Sequence, residues 1–470
     1  MTEPAIATEA PTITQVLENN ICVGCGACSV ATSGRVPVTI RPLGYYQADI
    51  SGASVADIAT ASRACPFTND SINEDEISAR LYPELPLDDR VGRHKSMFAG
   101  RISDDSQIDL SSSGGLTSWT LRELLRTGHV DGVIQVASTD QPMFGYVVAR
   151  SESELLAGRK SKYFPATFAD TLRSIRGDGM RYAFVGIPCA IRAVRLVTDE
   201  DAVLREQLRF LVGIVCGHLK SGAYAESFAW QVGVEPENLG SVDFRIKDPT
   251  LTSRQYRFGA RAKGAEEWLE APTLSLVGGS WGHAVFQLNA CNYCDDVFAE
   301  TADVVFGDAW LSKYEIDWRG TNVVVTRDDT IDILLRDGEA RGELSWDELD
   351  TDLVARTQGG NFRHRRDGLA VRLADDEKAG RWAPKKRVSP GYDHVTSDRV
   401  ELIRQRRALS EASHPAFAAA KAAGDLNVYL NAIKPLIDAY QQGTRMPFAT
   451  RVRNRLQREF WRLAKKARNR

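Results

Sequence analysis

Between about residues 98 and 384 the chain alternates two hydrophobic periods. Short apolar runs at residues 132–137, 181–185 and 210–215, bounded by charge or glycine, have the length and branching of buried strands. Residues 115–126, 169–176, 191–197 and 223–232 instead repeat their apolar positions at helical spacing, and Gly128 stops the first of these. Residues 242–276 alternate polar and apolar positions, the period of antiparallel sheet. The order predicts a mixed α/β core, or α+β where the antiparallel part is inserted or appended. Beyond about Pro384 the pattern is helical to the end. Residues 69–92, acidic and carrying Pro83 and Pro86, read as a linker or a cover strand, and residues 1–18 as a polar, flexible tail.

Composition narrows the class. A chain of 470 residues should hold about two to four domains. With 43% hydrophobic and 26% charged residues it can bury a core, which excludes wholesale disorder. The formal charge of -3 gives no global pull toward nucleic acid or a membrane surface. The start MTEPAIATEAPTITQV lacks a basic n-region and an apolar h-region, and no run of about 18 apolar residues follows, so a cytoplasmic chain without a signal peptide or spanning helix is expected. In a reducing compartment eight cysteines point to metal or redox roles rather than disulfides.

Those cysteines fall into patterns. In ICVGCGACSV, Cys22, Cys25 and Cys28 recur every third residue with Gly24 and Gly26 between them, expected to keep the loop open. Three such thiolates can converge on one cubane, and the fourth ligand is expected beside a proline, which Cys65-Pro66 supplies. A 4Fe-4S cluster is therefore expected on Cys22, Cys25, Cys28 and Cys65. Structural zinc is the rival, though its ligands usually come as two separated pairs. Cys189 and Cys216 each end an apolar strand, where α/β folds gather ligands; singly, each could be a small core residue. Cys291 and Cys294 are half a zinc site, a redox dithiol or half a cluster. With the first four assigned, Cys189, Cys216, Cys291 and Cys294 make one further complete four-cysteine site, with His218 and His283 as conceivable substitutes.

Two polar stretches could hold anions. Ser111-Ser112-Ser113-Gly114-Gly115 opens a helix, which fits a phosphate cradle or an ordinary serine cap. GRKSKY sets Arg159, Lys160 and Lys162 before Tyr163 and Phe164, which fits an anionic cofactor or a solvated charge run.

The SSSGG turn, the SKY triplet, the G-x-P-C turn, the strand ending in cysteine, and C-x-x-C-D followed by A-D and G-D-x-W occur in one order. In that order they resemble the family of coenzyme F420 hydrogenase/dehydrogenase beta subunits, which includes plant 7-hydroxymethyl chlorophyll a reductase. The resemblance spans about residues 20–370. It implies an iron-sulfur flavoprotein oxidoreductase with two 4Fe-4S clusters and FAD, coenzyme F420 as co-substrate, and electron transfer to a redox partner or substrate. The implied layout is a tail (1–18), a ferredoxin-like 4Fe-4S module with linker (19–95), an FAD-binding and second-cluster core (96–384) and a basic helical extension (385–470). By the same resemblance Ser113, Gly114, Gly115, Lys160, Ser161, Lys162 and Tyr163 are assigned to flavin or substrate. Cys189, Cys216, Cys291 and Cys294 are assigned to the core cluster, and Asp295, Asp303, Gly307 and Asp308 to an acidic segment without a derived role. Ile187 and Ala190 depart from the usual threonine and glutamine, and Cys216-Gly217-His218 inverts the usual Cys-His-Gly, which removes the basis for a catalytic role of that histidine. No catalytic acid or base is assigned.

Three functions are expected in this order: electron transfer with F420 through FAD, a ferredoxin-dependent reductase of a small organic substrate, and a non-catalytic partner with structural clusters. Arg159, Lys160 and Lys162, followed by Arg192 and Arg195, could meet the anionic groups of F420. The surroundings of Cys22–Cys28 hold few charges, with Glu18 and Arg35 the nearest, which is poor for docking a ferredoxin. Residues 450–470 hold nine basic residues and one acidic one, with Val452, Leu456, Phe460 and Leu463 at helical spacing: a packed helix with a basic face, or contact with an anionic membrane or acidic partner. No nucleic-acid partner is expected, and oligomerisation is left open.

Overall fold

The computed structural model describes residues 12–444 together with Leu456, Glu459, Phe460 and Trp461. Most of the basic segment 450–470, and with it the membrane or acidic-partner expectation, lies outside the described residues.

The N-terminal part starts with the helix Ile13–Glu18, whose Ile13 and Val16 are buried three residues apart. The end of the expected flexible tail is therefore folded, and Thr12 ties it down through Asp70 (Oγ1 to Oδ2, 2.8 Å). The short helix Ala27–Ala31 is followed by the antiparallel hairpin β1 (Val38–Ile40) and β2 (Tyr46–Ala48), then by the helix Val55–Ala64. A capping box between Ser54 and Asp57 starts that helix, and Cys65 caps its other end. The region expected as linker or cover strand contains a helix, Glu74–Leu81, begun by a second capping box of Asn73 and Glu76. Only the two-residue strands β3 (Leu87–Asp88) and β4 (Gly92–Arg93) follow it.

The core is mixed α/β. Its large sheet contains β5 (Met97–Ile102), β6 (Gly132–Ser138), β7 (Phe144–Ala149), β8 (Tyr182–Gly186) and β9 (Leu208–Ile214). A separate antiparallel sheet of β10 (Leu239–Ile246), β11 (Arg257–Ala262) and β12 (Leu269–Pro272) is inserted before the chain returns as β13 (Val304–Asp308), β14 (Asn322–Thr326) and β15 (Leu344–Glu348). The large sheet runs β15-β5-β14-β13-β9-β8-β6-β7. Its centre, β13-β9-β8-β6, is parallel, and antiparallel strands extend both sides. Helices cover both faces. Leu116, Leu121 and Leu124 of Leu116–Arg126 pack with Ile331 and Leu335 of Asp329–Ala340 on one face. Ile191, Val194 and Val197 of Pro188–Glu200 pack with Leu172 and Ile175 of Ala169–Ile175 on the other. Each fully buried side chain of this kind contributes about 1.5–3 kcal/mol.

The helix Pro188–Glu200 begins three residues earlier than the apolar spacing predicts, because Pro188 takes the first helical turn. The inserted sheet shares a core with the helices Ala223–Gln231, Ser397–Ala423 and Leu426–Gly443 through Phe228, Phe244, Phe258, Phe286, Phe417 and Tyr429. The helices Ser397–Ala423 and Leu426–Gly443 thus pack against the inserted sheet. No helix among the described residues is long and apolar enough to cross a membrane. The carboxyl ends of β8, β9 and β13, where α/β folds place ligands, run into Cys189, Cys216 and Asp308.

Candidate functional site

The first four cysteines come together. Cys22 and Cys25 lie on the opening loop, Cys28 on the helix Ala27–Ala31 and Cys65 at the end of Val55–Ala64, and all four line one apolar cavity with Ile13, Val23 and Phe67. Gly24 and Gly26 do not keep this loop open; they let it close. Gly24 has φ +67° and a Cβ there would lie 2.2 Å from Tyr46 Cβ, while Gly26 has φ +100° and a Cβ 2.5 Å from Thr167 Oγ1. The first contact seats the loop on the hairpin and the second seats it on the core, where Phe168 N donates to Cys25 O (2.9 Å). Burial pushes every thiol of the set up, Cys25 to about 12, with the neighbouring Cys22 adding to the effect. Cys28 is raised well above its usual range, by burial first and then by Cys25, Cys22 and Cys65.

The other four cysteines also meet. Cys189 sits in the first turn of Pro188–Glu200, Cys216 follows β9, and Cys291 and Cys294 belong to the single 3-10 turn Asn289–Tyr293 and its cap. Burial raises the Cys189 thiol well above its usual range, helped by Cys294, Cys216, Cys291 and then Cys25. Burial likewise pushes Cys216 up to about 11 and Cys291 up to about 12. The two sets adjoin. The Tyr146 hydroxyl, raised chiefly by burial, is raised further by both Cys189 and Cys25. Cys22, Cys25, Cys65 and Cys189 flank one apolar cluster that includes Val23, Phe67 and Tyr293. Among the described residues no group of three or more His, Cys, Asp or Glu side chains is drawn together as closely as a bound metal ion requires.

Around the core set are partners that motif reading missed. Leu219 N donates to Cys291 Sγ (3.1 Å) and Arg365 Nη1 to Cys294 Sγ (3.0 Å). Arg365 is held protonated despite burial, mainly by Cys294, Cys216 and Cys291. Its only sequence signal is the basic run RHRRD inside an otherwise helical pattern. His218 stacks on Trp281 (centroids 4.3 Å apart), meets Arg406 Nη2 through Nδ1 (3.3 Å), and leaves a buried Nε2 without a partner among the described residues. Burial lowers its pKa well below the usual range, so the ring is neutral.

The two polar stretches also meet, since Ser161 N donates to Ser112 Oγ (2.7 Å). The turn before Leu116–Arg126 is fitted to the protein itself. A Cβ on Gly114 would lie 2.7 Å from Gly100 O, one on Gly115 would lie 2.8 Å from Ile102 Cδ1, and Leu116 N is already capped by Asn322 Oδ1 (3.1 Å). Lys160 pairs with Asp243 (2.6 Å). Lys162 Nζ donates to the carbonyls of Gly158, Arg159 and Lys160, and burial lowers its pKa to about 7. Lys247 Nζ likewise donates to Ile108, Ser113 and Arg319 carbonyls and is lowered to about 7 by burial. Arg245, two residues away on β10, pairs with Asp308 (2.9 Å), lies over the Tyr256 ring (4.9 Å) and keeps a buried Nε without a partner among the described residues. Period-2 charge in F-R-I-K was its signal. Tyr163 packs against Trp281 (4.9 Å) and Phe244 (5.3 Å).

Arg192 and Arg195 are not in this group. Arg192 holds the Pro66 and Ile72 carbonyls and Glu74, and Arg195 holds Thr301 O and Asp303. The acidic segment is likewise engaged in ion pairs: Asp295 with Lys386 (2.8 Å), Asp303 with Arg195 (2.9 Å) and Asp308 with Arg245.

Comparison with known proteins gives consistent matches. Residues 97–173 match the family described as the N-terminal region of the coenzyme F420 hydrogenase/dehydrogenase beta subunit, and residues 179–352 match the one described as its C-terminal region. One of the subunits of the F(420)H(2) dehydrogenase of Methanosarcina mazei is 23% identical over 318 residues, covering 65% of this chain and 81% of that protein. Coenzyme F420-dependent sulfite reductase of Methanocaldococcus jannaschii is 22% identical over 311 residues, 63% of this chain and 43% of that protein. A chain of the xenon-derivatised F420-reducing [NiFe] hydrogenase complex from Methanosarcina barkeri aligns over 66% of this chain and 100% of its own length, at 15% identity and a TM-score of 0.47.

Proposed function

The chain belongs to the family of coenzyme F420 hydrogenase/dehydrogenase beta subunits, and on that premise we propose that it is an oxidoreductase subunit passing electrons between coenzyme F420 and a partner protein or substrate. The observation that carries the proposal is the sorting of all eight cysteines, buried or half-buried, into two fours that adjoin at Cys25 and Cys189. In this reading Cys22, Cys25, Cys28 and Cys65 hold one 4Fe-4S cluster and Cys189, Cys216, Cys291 and Cys294 another. The donors suit such clusters: eight cysteine sulfurs, none in a disulfide, the first four lining an apolar cavity.

A bound FAD would supply the one chemistry that links paired and single electron transfer. The residues proposed to hold it are Lys160, Ser161, Lys162 and Tyr163, with Lys247 and Arg245 added. The hydrogen bonds of Lys162 and Lys247 go to carbonyls rather than carboxylates, so their positive charge is free to attract an anionic group. The orphaned Nε of Arg245 is a donor in want of an acceptor. Ser113 contributes through the carbonyl that anchors Lys247, and Gly114 and Gly115 by letting the turn lie flat on β5 and β14. Tyr163, Tyr256 and Trp310 supply flat apolar faces.

Purification without oxygen tests the proposal. The holoprotein should carry about eight irons and one FAD per chain, and reduced F420 should bleach the flavin band before the cluster bands. Zinc without flavin absorbance overturns the reading. Reduction by ferredoxin with no response to F420 makes the chain a ferredoxin-dependent reductase instead, and clusters that accept no electrons make it a non-catalytic partner.

A further inference from the structure

We infer that Arg365 fixes the reduction potential of the core cluster by donating to a ligand sulfur, an inference that rests on the proposal that the second cysteine set holds a cluster. Arg365 lies beyond the matched residues 179–352, and no motif points to it.

Local structure places it. Residues Arg363–Asp367 form a π turn between the helices Gly359–Phe362 and Gly368–Lys378. The wider turn adds a residue to the winding, and such turns are common at functional sites. Here it turns His364 and Arg365 inward, 5% and 2% exposed, while Arg363 stays exposed. Nη1 donates to Cys294 Sγ (3.0 Å) and to Asp296 O, and Nη2 to Cys216 O (2.6 Å) and Gly217 O (3.3 Å). Nε is buried and has no partner among the described residues.

The charge balance is the decisive point. These hydrogen bonds go to one sulfur and three carbonyls, and none goes to a carboxylate. A buried cation is costly unless negative charge faces it, and the nearest source of such charge is the cysteine set itself once ionised, with the Asp296 carboxylate a lesser contributor. Adding one electron to a cluster on those sulfurs increases that negative charge, so a guanidinium fixed at Cys294 stabilises the reduced form more than the oxidised one. The potential of the core cluster is raised in consequence. A purely structural role, in which Arg365 only staples the Cys216 and Asp296 loops, would leave the potential unchanged.

The experiment is a mediated redox titration of the anaerobic holoprotein, followed by the cluster absorbance and paramagnetic signals, on wild type, Arg365→Gln and Arg365→Lys. Iron is counted first. Arg365→Gln should move the redox equilibrium of the core cluster toward the oxidised form by roughly tenfold, about 59 mV for one electron. The front cluster should stay within a few-fold of wild type. Arg365→Lys, which keeps the charge, should restore most of the shift. Arg365→Gln with full iron and a wild-type midpoint overturns the inference, as does a Lys variant shifted as far as Gln. If Arg365→Gln loses the core iron, Arg365→Lys decides: near the wild-type midpoint it supports the inference, and displaced tenfold or also stripped it overturns it. Wild type without iron overturns the proposed cluster reading and this inference together.

Discussion

Arg192→Met removes the cation that ties the segment after Cys65 to the helix carrying Cys189. Arg192 and Glu74 are 6% and 7% exposed and pair at 3.2 Å, and the same guanidinium donates to Pro66 O (2.9 Å), Ile72 O (2.8 Å) and Ser71 Oγ (3.1 Å). Breaking a buried pair from one side costs about 3–5 kcal/mol, because the remaining charge is left without compensation. Arg387 also reaches Glu74, at 3.9 Å, so the expected loss is at the lower end, about 3 kcal/mol. Adding Glu74→Gln removes the stranded charge and should recover about half of that loss. Acid separates the two cases further. Burial raises the Glu74 pKa, but Arg192, Lys386 and Arg387 outweigh it and the net shift is downward. The stability Glu74 contributes is therefore present above its unfolded pKa of about 4.3 and lost as pH falls through the lower folded value. In Arg192→Met the largest downward influence is gone, so stability should fall less as pH drops through about 4.3 and below. Urea unfolding at several pH values measures both effects. A loss under about 1 kcal/mol, or a double variant no better than the single, would refute the pairing as the main tie.

Gly26→Ala should destabilise the chain by about 2–5 kcal/mol, from a left-handed backbone plus contacts under 3 Å to Thr167 and Ala169. Gly128→Ala, at φ +71° with nothing within 4 Å, should cost only about 1–2, and equal unfolding midpoints for the two would sink the packing argument. Cys25→Ala should remove the front cluster and leave flavin bound, whereas Cys291→Ala should disturb the core cluster and flavin; iron and flavin counts that fall equally in both argue against two separate sites. Lys162→Ala should slow flavin reduction by F420 in anaerobic stopped flow. In wild type that rate should decline as pH rises through about 7, where burial makes the amine neutral. A rate flat from about pH 6 to 8 removes Lys162 and Lys247 as anion-binding cations.

The apolar runs were enough to predict strands where β6, β8 and β9 lie, and the alternating pattern the antiparallel insert, because each is set by burial of its own side chains. The helix Glu74–Leu81 was legible too, in Asn73-x-x-Glu76, but the prolines after it drew the reading toward a linker. Ile13 and Val16 were hidden in a tail of polar composition. The grouping of cysteines followed from spacing and count. Their surroundings did not: Arg365, His364 and Leu219 reach the core set through tertiary contacts across 70 residues or more of chain, which leave no local period. Arg192 and Arg195 show the opposite failure. They resembled ligand cations because they follow Cys189, yet carboxylates and carbonyls remote in sequence had already claimed them.

Those same two arginines explain why one helix holds the assembly. Cys189, Arg192 and Arg195 are three residues apart along Pro188–Glu200, a spacing that keeps side chains on neighbouring parts of one helical face. The first faces the core cysteines, the second grips the chain that follows Cys65, and the third grips Asp303 at the start of β13 and Tyr82 from the N-terminal part. Electron transfer between two cysteine-held clusters would depend on a fixed separation, and here both sets refer to the same rigid element instead of to a loop. The opposite, apolar positions Ile191, Val194 and Val197 lock that element to the sheet. A shift of the helix would therefore move both cysteine sets together, and the hairpin β1–β2 is tied to the core as well, since Gly222 N donates to Gly44 O (2.6 Å).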